Sequence, residues 1–249
     1  MIYVCVAARN DASTVGLLLW KLRKVFEEFP REYHILVADD ASTDGTAELL
    51  ETYQRALPMT LQRHQEPIGH AASLERLARD ALRRSDRPKR DCLVTLPADF
   101  AVTPAAIPEL LKRFESGADV VVGEIPLSRE AVGTWLVRRC APWLLRPGLS
   151  LPGVRDVTSG VSVIRLITLR GCLRDESERF LQSEGASAHA ELVARTAARA
   201  RQIAAVPLEV QASPVPPRRR ASALAEVLSY FRAGRQLRIP APTTTIQRG

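Results

Sequence analysis

The chain has 249 residues, 46% of them hydrophobic and 25% charged, with a formal net charge of +7; that length buries a sizeable core as one α/β unit or, alternatively, two small domains. The positive excess is almost all arginine, lysine occurring only at Lys21, Lys24, Lys89 and Lys112, and it suits an anionic partner such as a nucleotide diphosphate or an acidic membrane surface. Aromatic content of 5% with no zinc spacing or RNA-binding strand motif argues against nucleic acid, Cys5, Cys92, Cys140 and Cys172 form no Cys-x-x-Cys, and no run nears the ~18 apolar residues of a membrane span.

Residues 2–7 read as a buried strand rather than a signal peptide, having neither a basic n-region nor a cleavage site. With the expected free, buried thiols this points to a reducing, cytoplasmic setting, with at most attachment to the inner face of a membrane. A polar turn at Arg9-Asn10-Asp11 follows, and then Val15, Leu18, Leu19, Leu22 and Phe26 recur at helical spacing. A second apolar strand, Ile35-Leu36-Val37-Ala38, ends in Asp39-Asp40, turns at Ser42-Thr43-Asp44-Gly45 and opens another helix. In an open α/β sheet small molecules bind at the carboxyl ends of strands. The acids therefore have two readings: a nucleotide grip in which Asp40 accepts from a base N–H, or side chains that merely cap and turn the chain.

The alternation continues with a short strand at residues 59–62, a helix at 69–84 and a strand at 91–96. A helix follows Pro104, and residues 118–123 form another strand, so the sheet is expected to be mostly parallel and covered by helices. His70, at the start of a helix, reads as a surface or capping residue. Trp135, Leu136, Arg138, Arg139, Trp143, Leu144, Leu145 and Arg146 mix indole, aliphatic and guanidinium groups. They suit either a helix at a lipid interface, bent at Pro142, or a core helix with its arginines in water. Residues 213–249 read as a Pro- and Arg-rich extension to a domain of residues 1–212, with a helix at 221–231 and a disordered end from 240.

The motif Asp39-Asp40-Ala41-Ser42-Thr43-Asp44-Gly45-Thr46, preceded by Ala7-Ala8-Arg9-Asn10-Asp11, resembles the opening of family-2 glycosyltransferases of GT-A fold, with Ala41 where that family has glycine. Residues 68–72, with Gly69, resemble its Gly-rich turn beside the donor site. Leu96-Pro97-Ala98-Asp99 stands where the family places Asp-x-Asp, keeping only the second acid. Asp156-Val157-Thr158-Ser159-Gly160, the helix carrying Glu191, the strand reaching Val206-Pro207, and Arg218-Arg219-Arg220-Ala221-Ser222 resemble, in order, the polyprenyl-phosphate branch typified by dolichol-phosphate mannosyltransferase.

The resemblance implies a single α/β GT-A domain with a mostly parallel, Rossmann-like sheet. It implies transfer of a sugar from a nucleotide-diphosphate sugar, with inversion, to an acceptor such as a polyprenyl phosphate. Asp11 and Asp40 would face the base and ribose, with Ala7, Arg9, Ala98 and Asp99 completing the nucleotide-binding set. Arg139, Ser159, Arg218, Arg220 and Ser222 would meet the acceptor phosphate. Asp99 would share Mg²⁺ or Mn²⁺ with the diphosphate, weakly because Pro97 has no ligand. Asp99 and Asp156 are the catalytic candidates; Asp156 is either a base for a neutral hydroxyl or the cap of its own turn, and Asp99 either a ligand or a cap before Pro104. A phosphate acceptor is ionised near neutral pH and needs no strong base, in keeping with the missing Glu-Asp dipeptide. The missing Gln-x-x-Arg-Trp disfavours processive synthesis, and the lack of a Gly-rich first loop disfavours nucleotidyl transfer. The competing reading is a degenerate member that binds nucleotide or a partner without catalysis.

Overall fold

In a computed structural model of the protein, residues 1–126, 139–146, 148, 149, 151, 153–173, 179–208, 223–242 and 246–248 are described. The first βα units are those expected: β1 (Ile2–Ala8), α1 (Ala12–Glu28), β2 (Tyr33–Asp40), α2 (Thr46–Gln54), β3 (Met59–His64), α3 (His70–Arg84) and β4 (Cys92–Thr95). A 3₁₀ turn (Pro104–Ala106) leads into α4 (Ile107–Glu115), and β5 (Val120–Glu124) follows. Beyond lie β6 (Ser162–Arg165), α5 (Leu166–Cys172), α6 (Ala186–Ala197), β7 (Ile203–Pro207), α7 (Ala223–Gln236) and β8 (Ile246–Arg248).

The strands form one sheet in the order β3-β2-β1-β4-β6-β5-β7-β8. All neighbours run parallel except β6, which is antiparallel to both β4 and β5. Alternate residues of each strand enter opposite faces, and both faces are buried. Tyr3 and Cys5 join Leu74, Leu77, Leu192 and Tyr230 on one side, under α3, α6 and α7. Ile2, Val4 and Val6 join Leu18, Leu22, Ile107 and Leu110 on the other, under α1 and α4. The α1 positions Val15, Leu18, Leu19, Leu22 and Phe26 are buried, as their helical spacing predicts.

One expectation changes. Residues 240–249 are not uniformly irregular, because Ile246–Arg248 pairs with Ile203, Ala204 and Ala205 and covers the edge that β7 would otherwise expose. The C-terminal extension beyond residue 212 packs on the domain: Tyr230, Ala233, Leu237 and Ile239 are buried in the same core as Leu36 and Leu93. The helical residues 139–144 cross α7 at a contact that only glycine allows. A Cβ on Gly234 would collide with the Leu144 carbonyl oxygen, and one on Gly148 with the carbonyl of Gly234.

Candidate active site at the carboxyl ends of the central strands

From β1 the chain steps outward to β2 and β3, then returns to β4 on the other side of β1. This reversal opens the crevice in which doubly wound sheets hold ligands. Asp11 follows β1, Asp40 ends β2 and Asp99 follows β4. Each of these three strand ends also carries a non-glycine residue in the left-handed region: Asn10 (φ 55), Ala41 (φ 54) and Phe100 (φ 57). Such residues cost about 1–2 kcal/mol each and persist where neighbouring contacts dictate the conformation.

Those contacts are dense between the first two loops. The Asn10 amide donates to Ser42 Oγ at 2.8 Å, and its Oδ1 accepts from the Thr43 amide at 2.7 Å. The Asp11 amide donates to Thr46 Oγ1 at 2.8 Å, and the Ala12 amide to Asp44 Oδ2 at 3.3 Å. Asp11 is 7% exposed, and its Oδ2 accepts from the Arg9 amide at 2.8 Å. Asp39 turns the chain through Ser42, while its buried Oδ2 has no hydrogen-bond partner. The capping reading fits Asp39 and Asp44, which shape the loop, while Asp11 and Asp40 lie at the ends of β1 and β2.

Asp40 has a second task that its sequence position does not announce. Its Oδ1 accepts from the Ile68 amide at 2.6 Å, its Oδ2 from the Gly69 amide at 3.2 Å, and Arg9 Nη1 lies 4.0 Å from Oδ2. The carboxylate therefore fixes the start of α3, where Gly69 has φ 92. A carboxylate has about four acceptor positions, so two amides leave capacity for a ligand N–H.

Asp99 is half-buried, and its Oδ1 accepts from the Ala101 amide at 2.9 Å. It is not the cap before Pro104; Thr103 is, accepting from the Ala105 amide. Pro97 packs against the Asp156 turn, its ring 3.6 Å from where a Cβ on Gly160 would lie. Ala98 is buried, and Ala7 is partly buried against the core. Among the described residues no three His, Cys, Asp or Glu side chains converge as a metal site. The donor set fits a metal shared with a bound diphosphate, with Asp99 as its protein ligand, rather than a self-sufficient site.

His70 sits over the same opening. Desolvation lowers its pKa from the usual value, while the charges of Glu184, Asp40 and Asp99 oppose that shift. Glu184 is thereby placed beside the strand-end acids; its Oε2 lies 3.0 Å from where a Cβ on Gly69 would be.

Glu184 ends a segment suspended from two buried carboxylates. Glu75 Oε2 accepts from the Phe180 and Leu181 amides at 2.9 and 3.1 Å, and Glu191 Oε2 from the Gln182 and Ser183 amides at 3.0 and 2.7 Å. Arg79 and Arg195 neutralise the two acids, each at 2.7 Å. Sequence reasoning missed Glu75, Glu184 and Arg179, which pairs with Glu184. Only the Glu191 motif hinted at this cradle.

Asp156 is 2% exposed; it accepts from the Ile125 amide at 3.1 Å and from the Thr158 amide and hydroxyl at 2.8 and 2.7 Å. The Thr158 bonds are those of the turn cap, one of the two roles open to it. Ser159 is likewise engaged, donating to the Gly123 carbonyl at 2.6 Å. Arg139 is exposed, on the helical residues that cross α7. Trp135, Arg138, Arg218, Arg220 and Ser222 lie outside the described residues. A surface cavity of about 440 Å³ lined by Arg87, Lys89, Arg90, Ile167 and Arg170 opens near the start of β4, at the opposite end from the acids.

Residues 3–165 match the model of glycosyl transferase family 2. Over 211 residues the chain is 28% identical to an undecaprenyl-phosphate mannosyltransferase of Micrococcus luteus, covering 80% of this chain and 79% of that one. It is 27% identical over 135 residues to a dolichol-phosphate mannosyltransferase of Pyrococcus furiosus, covering 52% of this chain and 36% of that protein. The Mycobacterium tuberculosis glucosyl-3-phosphoglycerate synthase, solved with Mn²⁺, UDP and glucosyl-3-phosphoglycerate, is similar with a TM-score of 0.62 and 20% identity, over 93% of this chain and 76% of that one. That likeness establishes the GT-A fold. A match running from β1 through β6 makes this chain a member of glycosyl transferase family 2.

Proposed function

We propose that the protein transfers a sugar from a nucleotide-diphosphate sugar to a polyprenyl phosphate at a membrane surface, inverting the anomeric centre. The observation that carries this reading is the convergence of Asp11, Asp40 and Asp99 on the crevice between the ends of β1, β2 and β4. Asp11 and Asp40 hold the base and ribose, and Arg9, about half exposed beside Asp40, meets the diphosphate. Asp99 would hold Mg²⁺ or Mn²⁺, which supplies charge neutralisation to the departing diphosphate.

In the reaction an oxygen of the acceptor phosphate, already ionised, attacks the anomeric carbon in line. The bond from that carbon to the diphosphate oxygen breaks, and the nucleoside diphosphate leaves with the electron pair. Positioning and leaving-group stabilisation carry the catalysis, and no proton is removed. The engaged state of Asp156 agrees with a mechanism that dispenses with a base there.

The lipid side of the reading draws on similarity to the undecaprenyl-phosphate enzyme and on the outer surface. Among the described residues no helix is long and apolar enough to cross a membrane. Trp143 is 75% exposed, and α7 exposes Leu228 and Phe231 with Arg235 stacked 4.7 Å from the Phe231 ring centre. Together with Arg139, Arg146 and Arg232 these suit the boundary of an anionic bilayer. The test is transfer from a panel of nucleotide sugars to a polyprenyl phosphate and to the corresponding alcohol. Product from the phosphate alone is expected; equal transfer to the alcohol, or none with any donor, contradicts the reading.

A further inference from the structure

We propose that Arg179, held at the rim of the site by Glu184, is the ligand for the acceptor phosphate and sets the preference for a phosphorylated acceptor. The inference rests on the reading of a phosphate acceptor and adds a residue that no motif singles out. Arg179 pairs with Glu184, and both side chains remain about half exposed. Glu184 is in turn lodged against Gly69, whose amide is bound to Asp40, so the pair borders the opening that the nucleotide-side acids occupy.

The supporting segment is unusually well fastened for a loop. Four successive amides, Phe180 to Ser183, are taken up by only two carboxylate oxygens, one each from Glu75 and Glu191. Both carboxylates are buried, and each has its own arginine. Arg195 also lies 5.3 Å from the Phe180 ring centre. This rigidity places the Arg179–Glu184 pair at a defined distance from the strand ends, which is what a specificity contact needs.

Electrostatics assigns the roles within the pair. Asp11, Asp40, Asp99 and Glu184 border the opening with Arg9 as the basic group beside Asp40, and an unaccompanied carboxylate at the rim repels a phosphate. A guanidinium has five N–H donors in a planar fork, so one edge can stay on Glu184 while the other meets phosphate oxygens. Glu184 thus orients Arg179 and also competes with the phosphate for it.

The test measures binding of a short-chain, water-soluble isoprenyl monophosphate and of its parent alcohol to the full chain, by calorimetry. Arg179→Ala is expected to weaken the monophosphate by roughly 10- to 150-fold, the worth of a charge-assisted hydrogen bond, and to leave the alcohol and nucleoside diphosphates unchanged. Arg179→Lys should recover part of the loss. Glu184→Gln should tighten the monophosphate by several-fold, because it removes a competing charge and frees the fork. Monophosphate affinity unchanged in Arg179→Ala, or an equal loss for phosphate and alcohol, overturns the assignment while leaving the lipid-phosphate reading intact. A wild-type protein that binds the alcohol as well as the monophosphate removes that reading, and this assignment with it.

Discussion

On the β1–β2 side of the opening, residues 9–12 and 42–46 bind each other directly, amide to side chain, across about one βα unit of sequence. On the far side, residues 180–183 are held by Glu75, a hundred residues earlier, and by Glu191 from the following helix. The first arrangement is local and depends on Asn, Asp, Ser and Thr in turn positions. The second depends on buried charge at long range. The two sides should therefore fail differently: loss of a strand-end acid on the first falls mainly on nucleotide affinity, and loss of a buried cradle carboxylate on the second mainly on stability.

The largest effect is expected at Glu191. Its carboxylate is fully buried, and Glu191→Ala strands two amides and Arg195, at a cost of about 3–5 kcal/mol. Urea denaturation of variant and wild type measures it, and a loss below about 1 kcal/mol would mean that the cradle is not a structural support.

Acid should weaken the same side through His189. This imidazole bridges Thr95 and Ser162 at 3.1 Å to each. Burial, then a smaller contribution from His70, lowers its pKa to about 4, against an opposing pull from the Val157 carbonyl. Because the folded pKa lies below the unfolded one near 6.5, the unfolded chain takes up a proton first as pH falls. Stability is unaffected above about 6.5, drops between there and 4, and has lost about 3 kcal/mol below that. His34 and His64, also shifted downward by burial, add in the same direction. Comparing His189→Gln with wild type isolates its share: the variant's stability should vary less between pH 6.5 and 4.

On the nucleotide side, Asp40→Asn should leave the chain folded and weaken nucleoside diphosphate binding by roughly 10- to 150-fold, or about 1.5–3 kcal/mol. An isothermal titration with undiminished affinity would remove Asp40 from the base-binding set and leave it only the Ile68 and Gly69 amides. The smallest effect is expected at Ala41. With φ 54, Ala41→Gly relieves left-handed strain and should raise stability by up to about 1 kcal/mol, net of the added freedom of the unfolded chain. A decrease would mean that the Ala41 methyl group makes a packing contribution exceeding the strain.

The same contrast explains what the residues disclosed. The βα units up to β4 were legible because burial on one helix face and in central strands leaves a strong period, as at Val15, Leu18, Leu19, Leu22 and Phe26. The antiparallel β6 has four residues flanked by a turn and α5, and β8 has three; segments so short carry no periodicity, and their pairing is decided by distant edges. Asp11, Asp40 and Asp99 stood out because a strand-turn-helix junction marks them. Arg179 and Glu184 did not, since their place at the rim follows from Glu75 binding amides more than a hundred residues onward. Asp156 looked like a reactive acid for the reason that it also makes a good cap: one short side chain meets both requirements.

The most direct test of the account is a crystal structure with whichever nucleoside diphosphate raises the melting temperature most. The base and ribose are expected beside Asp11 and Asp40, with the diphosphate between Arg9 and Asp99. A nucleotide seated instead in the arginine-lined cavity at the start of β4, formed by Arg87, Lys89, Arg90 and Arg170, would contradict it.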